Sequence, residues 1–366
     1  MKKNYLNFFK NKRVLVTGHT GFKGSWLTLW LYSLGAKVIG LSKNIPTKPS
    51  FFEATKLKNK IKSVKCDITN YNLLKKKINQ YKPEVIFHLA AQAIVKESFI
   101  SPKNTWKTNL IGTLNLLDIL KTYKLNKKIV SVFITSDKVY KNFETNKGYK
   151  EDDKLGGDDP YSASKSSADI AISSYFKSFL IKNRNISISI ARAGNVIGGG
   201  DWSDGRLIPD CIKSWSKGKE VNIRNLNSTR PWQHVFEVLN GYLILAYNLD
   251  KQKKFNGASF NFGPKLSDKK KVKDVLDECK LNWKSAKWKK ISKNKNSFKE
   301  SKLLHLNVNK TNKFLNWKNH LNFKDAINLT ISWYKNFYEK KINNYDYSLI
   351  QIKNYQKKIF KKKVFI

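Results

Sequence analysis

Along the first half of the chain, apolar residues gather into short runs separated by longer segments with one apolar face. "RVLVTG" (13–18), "KVIGL" (37–41), "SVKCDI" (63–68), "EVIFHLA" (84–90), "VSVFITS" (130–136) and "ISISIAR" (186–192) are rich in Val and Ile and too short for stable helices. Such runs predict strands buried on both faces of a parallel sheet. Between them the spacing predicts helices, among them "TWKTNLIGTLNLLDILKTY" (105–123) and "YSASKSSADIAISSYFKSFL" (161–180). Strand and helix in alternation predict an α/β fold, a Rossmann-like doubly wound parallel sheet with helices on both faces.

The rhythm breaks after Arg192. A glycine-rich loop, "AGNVIGGGDWSDG", leads to mixed segments, then to a helix in "VFEVLNGYLILAYNL" and a strand in "SFNFG". The expected organisation is a dinucleotide-binding domain over 1–192, to which 234–263 returns. A smaller, mixed C-terminal substrate-binding domain takes 193–233 and 264–345, and 346–366 forms a basic tail.

Composition changes this picture little. With 366 residues, 40% of them apolar, the chain can bury a sizeable core. The formal charge of +44 would suit a nucleic-acid binder. The basic residues are spread along the whole chain and most are Lys, which reads as a solvated surface and not as a nucleic-acid footprint. That field favours acidic ligands such as phosphates. No unbroken apolar run reaches about 18 residues, so no membrane insertion is expected and a cytoplasmic protein is. Cys66, Cys211 and Cys279 stand alone, without zinc-ligand spacing, so neither a disulfide framework nor a metal is expected.

Three motifs carry chemistry. "VTGHTGFKGSW" follows the first strand and places Gly18, Gly21 and Gly24 at the opening of a helix. Glycines there let the backbone approach a pyrophosphate, which the helix N-terminus favours. The second strand ends in Ser42 and Lys43 where an acidic residue usually holds a ribose, while Asp67 can reach the adenine from the third strand. "YSASK" sets Tyr161 and Lys165 one helical turn apart, on one face, where an ammonium can favour phenolate over phenol. "VFITSDKVYKN" brings Ser136, Asp137 and Lys138 together at the tip of the fifth strand. All three motifs belong at the carboxyl edge of one sheet.

"TGxxGxxG", Asp67, "HLAA", Asn109, Ser136, "YxxxK" and "RAGNVIGGGDW" together resemble the nucleotide-sugar branch of the extended short-chain dehydrogenase/reductase family, over roughly residues 12–340. Within it, "TSDKVY", "GGGDW" and "RPWQHV" resemble the 4,6-dehydratases that act on CDP-glucose. The resemblance implies NAD as cofactor, held by Gly18, Thr20, Gly21, Phe22, Lys23, Gly24, Ser42, Asp67, Ile68, Leu89, Ala90, Ala91, Gln92 and Asn109 with Tyr161 and Lys165. It implies oxidation at C4 of the sugar by Tyr161, Ser136 and Lys165, then loss of water with Asp137 as acid and Lys138 as base. CDP-glucose or a related nucleotide sugar would be held by Gln92, Asn195, Arg206, Leu207, Arg230 and His234, with Arg230 on the diphosphate. A dehydratase or epimerase for another nucleotide sugar is the alternative, and a silent dinucleotide-binding protein a more distant one. By analogy with relatives, apolar faces with Leu110, Leu114 and Leu117 on one helix, and Ala168, Ile172 and Phe176 on the other, imply a homodimer or homotetramer.

Overall fold

A computed structural model of the chain describes residues 4–123, 127–145, 147–265, 269–291 and 304–360, with the backbone alone at 230. Seven parallel strands form the central sheet: β1 (Arg13–Thr17), β2 (Lys37–Ser42), β3 (Lys62–Lys65), β4 (Val85–His88), β5 (Ile129–Ile134), β6 (Ile186–Ala193) and β7 (Ser259–Phe262). Their order is β3-β2-β1-β4-β5-β6-β7. The order reverses between β1 and β4, the switch point where such sheets open a crevice at the carboxyl ends of their strands.

Period-two alternation explains why both faces are covered. Val14 and Val16 of β1 point into one core, with Val130 and Val132 of β5 and Ala191 and Ala193 of β6. Leu15, Phe133, Ile188 and Ile190 point into the other. Every residue of β5 and β6 is buried, the polar Ser131, Ser187, Ser189 and Arg192 among them, as in a strand covered on both faces. The first face is packed by helices α1 (Phe22–Ser33) and α3 (Val235–Lys251); helix α2 (Pro160–Tyr175) packs the second. Helix α3 and β7 return to the sheet after the glycine-rich loop, as the break in rhythm predicts.

Residues 207–290 contain helices Leu207–Trp215 and Val272–Asn282 and two short strand pairs. Thr229–Pro231 runs antiparallel to Lys269–Lys271, and Val221–Ile223 parallel to Trp288–Lys290.

One expectation is corrected. The stretch after 345 is no loose tail: helix α5 (Asn344–Phe360) packs against α4 (Phe323–Glu339) and α1 and buries Ile352 and Tyr355. Its lysines alternate with an apolar face, and the charge of "YQKKIFKKK" masks that periodicity. Residues 361–366 lie outside the described residues. Of the two apolar helix faces, Leu117, Ala168 and Ile172 are buried, Leu117 and Ile172 in the core against the sheet, while Leu110, Leu114 and Phe176 are half-buried. The apolar residues left exposed on these neighbouring helical segments are instead Ile111, Ile170 and Phe179.

Candidate active site

The site is assembled at the carboxyl ends of β1, β4, β5 and β6. After β1 the chain turns sharply at Gly18, whose φ of 75° is left-handed. A Cβ on Gly18 would lie 2.8 Å from the Ala90 nitrogen, and one on Gly24 2.0 Å from the Gly18 oxygen. This backbone can close only with glycine, and the result is a bare cradle at the N-terminus of α1, with Gly21 as its cap residue. The donor set fits a dinucleotide pyrophosphate. Thr20 belongs to this turn, and Phe22 and Lys23 open helix α1. Thr20 donates to the Asn44 carbonyl at 2.6 Å.

Along the adenosine side, Ser42 does not face outward as a ribose ligand would. Its hydroxyl bonds His19 Nδ1 at 2.9 Å and accepts from the Thr20 amide at 3.3 Å, so it braces the glycine loop from beneath. Lys43 and Asp67 form an ion pair at 3.1 Å across the ends of β2 and β3. Burial acts against the Asp67 carboxylate, but the Thr69 amide and Lys43 outweigh it and hold the group below its ordinary range. Ile68, beside it, is buried against Gly112.

Leu89, Ala90, Ala91 and Gln92 follow β4. The Ala90 amide donates to Thr17 Oγ1 at 3.1 Å. Asn109 lies in a π-helical stretch, Lys107–Ile111, the kind of distortion that redirects a side chain. Its amide takes the Gln92 N–H at 2.8 Å and donates to the Gln92 carbonyl at 3.1 Å and to Ser164 at 2.9 Å. Asn109 therefore clamps the loop after β4 onto α2, and its role is to shape the crevice. The Gln92 side chain also turns inward, onto Thr105 and the Ile94 amide.

Helix α2 starts at Asp159, whose carboxylate accepts the Ser162 amide, with Pro160 in the first turn. That cap fixes Tyr161 in the first turn and Lys165 one turn on. The expected coupling of these two takes a different form. Lys165 donates to the Ile134 carbonyl at 3.0 Å, and burial lowers its pKa to about 8, against the pull of Asp169. The cation that acts most on the Tyr161 phenol is Lys138, with Arg206 adding a smaller effect. Burial raises the phenol's pKa, and the Lys138 charge and a hydrogen bond with Ser136 act in the opposite direction.

At the tip of β5, Ser136 Oγ accepts the Lys138 amide at 3.2 Å and donates to Asp137 Oδ1 at 3.0 Å. Lys138 Nζ meets the same oxygen at 3.1 Å. Burial alone would push Lys138 down; Asp137 and Tyr161 outweigh it and hold the ammonium above its ordinary value. The side chain of Asp137 is 7% exposed and that of Lys138 25%. Asp137 opens on a cavity that also has Gly194, Asn195, Gln233 and His305 in its wall.

Around this tip the cations converge. Lys23 reaches from the glycine loop to the Gly194 carbonyl at 3.1 Å. Burial lowers it to about 7, with Arg206 adding to the fall and Asp137 opposing it. Arg206 precedes helix Leu207–Trp215 and is held by Asp201 at 2.7 Å, within electrostatic reach of Tyr161. Arg230 is mid-strand opposite Lys270; its side chain lies outside the described set. His234 departs from the expected substrate contact: it is 1% exposed, caps α3 through its own Phe236 amide, and burial lowers it to about 3.

Sequence reasoning missed the support behind the tip. Arg192 makes a two-pronged bond to Asp169 at 2.9 and 2.7 Å, and Thr135 donates to the same carboxylate at 3.0 Å. Tyr140 and the Glu151 carbonyl complete the guanidinium, each at 2.8 Å. His305, in the cavity wall, was also missed, because a lone histidine far along the chain carries no spacing signal. Among the described residues no cluster of His, Cys, Asp and Glu could hold a metal. Among them, too, no helix is long and apolar enough to cross a membrane.

A glycine cradle at the switch point, with Ser, Tyr and Lys at the ends of β5 and α2, defines a dinucleotide-dependent enzyme of the short-chain dehydrogenase type. The GDP-mannose 4,6 dehydratase family model matches residues 15–330, and the chain belongs to this family of extended short-chain dehydrogenases. The CDP-glucose 4,6-dehydratase of Salmonella typhimurium is 40% identical over 334 residues, 90% of this chain and 92% of the relative. Among solved structures, the epimerase Mth375 of Methanothermobacter thermautotrophicus superposes with a TM-score of 0.76 at 21% identity, covering 93% of this chain and 98% of its own. The dTDP-glucose 4,6-dehydratase of Bacillus anthracis, in complex with NAD, gives 0.74 at 22% identity, covering 92% and 99%. At such identities these two show the fold.

Proposed function

We propose that the chain is an NAD-dependent CDP-glucose 4,6-dehydratase, a hydro-lyase that forms CDP-4-keto-6-deoxyglucose. The observation that carries this is the acid–base pair Asp137–Lys138, joined at 3.1 Å beside Ser136 and facing Tyr161. The 40% identical relative supports CDP-glucose as substrate.

NAD, when bound in the glycine cradle, supplies a hydride acceptor at C4 and the same hydride again at C6. The chain's own groups handle protons. Tyr161, with Ser136 at its hydroxyl, takes the proton from the 4-hydroxyl. The new carbonyl acidifies C5, Lys138 removes that proton, and Asp137 protonates the departing 6-hydroxyl. The resting ion pair holds these groups in the opposite states. One proton passed from Lys138 to Asp137 across their contact makes acid and base together. Arg206 supplies positive charge beside the tip suited to a diphosphate, and Asn195 in the cavity wall and Leu207 suit the nucleotide side. Arg230 is proposed as a two-pronged diphosphate clamp.

The exposed Ile111, Ile170 and Phe179 on adjoining helical segments support a homodimer, or a homotetramer built from it. We place the reaction in the cytoplasm, in deoxysugar assembly for a surface polysaccharide such as O-antigen. Incubation with CDP-, dTDP-, UDP- and GDP-hexoses, scored by mass for loss of one water, tests the substrate. Turnover of CDP-glucose is expected; turnover of a different nucleotide sugar alone contradicts the assignment.

A further inference from the structure

Arg206 stands on irregular backbone beside the crevice, yet its side chain is held. Gly205, just before it, has a left-handed φ of 74°, and a Cβ there would meet no atom within 4 Å. A long side chain on so open a segment has many rotamers to sample. Lys23 and Lys138 lie within electrostatic reach of the guanidinium and repel it. Asp201 opposes both effects: its Oδ2 accepts from Arg206 Nη1 at 2.7 Å. Only that prong is engaged. Among the described residues the other N–H donors of the guanidinium have no partner, which leaves them for an anion.

Asp201 is itself fixed on several sides. Its Oδ1 accepts the Ser203 amide at 3.0 Å, so both carboxylate oxygens are engaged, and its side chain is 5% exposed against 29% for Arg206. Its backbone is pinned by Tyr334 of α4. The Asp201 amide donates to the phenol oxygen at 3.0 Å, and the phenol donates to the Asp201 carbonyl. The flanking residues are packed on the same helix. Trp202 has its ring centroid 5.8, 5.6 and 4.8 Å from those of Trp333, Tyr334 and Phe337. A Cβ on Gly199 would come within 2.2 Å of the Trp333 ring, and the Gly199 carbonyl accepts from Trp26 of α1 at 2.8 Å. The glycine-rich loop after β6 therefore sinks onto an aromatic platform, and the carboxylate that meets Arg206 is anchored in it.

We propose that Asp201 is a positioning residue: from the platform on α4 it holds Arg206 by one nitrogen, so that the rest of the guanidinium is set for a nucleoside diphosphate before the ligand arrives. This rests on the reading of Arg206 as a diphosphate contact given above. The gain is in binding, because an arginine already ordered loses little freedom when the ligand docks. The diphosphate takes no part in bond changes at C4, C5 and C6. Its contacts are the same in the ground state and the transition state, so loss of Asp201 falls on KM and not on kcat.

Calorimetric titration of the full chain with CDP, NAD present, measures affinity directly, and steady-state kinetics with CDP-glucose separates binding from turnover. Asp201→Asn keeps an acceptor for the Ser203 amide and loses the charge. It should weaken CDP and raise KM by about three- to tenfold, with kcat kept within about twofold. In an Arg206→Ala background the same substitution should change CDP affinity by less than about twofold, because no guanidinium is left to hold. Tyr334→Phe carries the test where Asp201→Asn fails to fold: KM should rise with kcat kept, and an unmoved KM there would overturn the proposal. Equal loss of CDP affinity on Asp201→Asn with and without the Arg206 side chain would overturn it too, as would a fall in kcat with KM unmoved. Tighter CDP binding by Asp201→Asn would make the carboxylate a brake on Arg206 and not its guide, and so contradicts it. Tighter binding of dTDP, UDP or GDP than of CDP by the unmodified chain strikes the cytidine assignment alone, and the variants are then compared with that nucleotide; binding of none of the four overturns both.

Discussion

Two carboxylate–cation pairs are touched by successive residues after β5, Thr135 and Ser136, and they are built to opposite ends. Asp169 and Arg192, behind Thr135, are 0% and 4% exposed in their side chains. Each oxygen of that carboxylate has a donor, and the guanidinium also reaches Tyr140 and the Glu151 carbonyl. Such a pair is closed to chemistry: any proton shift would leave a buried charge alone. Asp137 and Lys138 share a single oxygen contact beside a cavity, and in this pair the cation is a quarter exposed to solvent. Saturation makes the first pair a strut, and the adjoining cavity leaves the second open to proton transfer. The difference is set by one step along the strand, since Thr135 faces the inner pair and Ser136 the crevice.

Breaking the strut should have the largest effect. Asp169→Ala strands the Arg192 guanidinium and should cost about 3–5 kcal/mol of folding stability, read as a fall in the urea midpoint. A shift below about 1 kcal/mol would place the pair among contacts that carry little. Next comes the reagent side, where stability and turnover should part company. Tyr161→Phe should lower turnover by about 10²–10⁴-fold with the urea midpoint nearly unmoved. A matching loss of stability would make Tyr161 a core residue whose hydroxyl is incidental.

The smallest effect concerns a third buried carboxyl, which lies far from the tip. Glu237 accepts from Tyr355 at 2.7 Å and from the His320 and Leu321 amides at 2.8 and 2.7 Å, tying α3 to α5. Burial raises it from 4.5 to about 7, against those bonds. The folded chain therefore keeps a proton that the unfolded chain gives up, so this group's contribution is present at low pH and is lost as pH rises through about 7. Glu237→Gln should flatten the fall in stability between about pH 5 and pH 7 and leave the acid side alone. An unchanged slope would assign the pH dependence to other groups.

The sheet was legible because strands of a parallel sheet are short and rich in Val and Ile, and each of the six runs became a strand. The glycine turn was legible for a similar reason, since a backbone this close to Ala90 excludes any side chain. Less visible were features whose meaning depends on partners distant in the chain. Ser42 has the right position for a ribose ligand, yet its hydroxyl is spent on His19. Lys165 has the right spacing for Tyr161, yet its ammonium goes to the Ile134 carbonyl, and the charge beside the phenol is that of Lys138. Asp169 and Arg192, 23 residues apart, give no local signal at all. The terminal helix was hidden by its lysines, whose stems cover apolar surface while their charges stay in water.

The most consequential expectation is that Lys138, beyond its charge effect on the Tyr161 phenol, is the base that follows oxidation. The direct measurement is a single turnover of Lys138→Ala with NAD and CDP-glucose deuterated at C5, following reduced-nicotinamide absorbance and product mass together. Absorbance should rise to a stable plateau, with water loss slowed by about 10²–10⁴-fold. Transient reduction followed by product formation at the rate of the unmodified enzyme would contradict it.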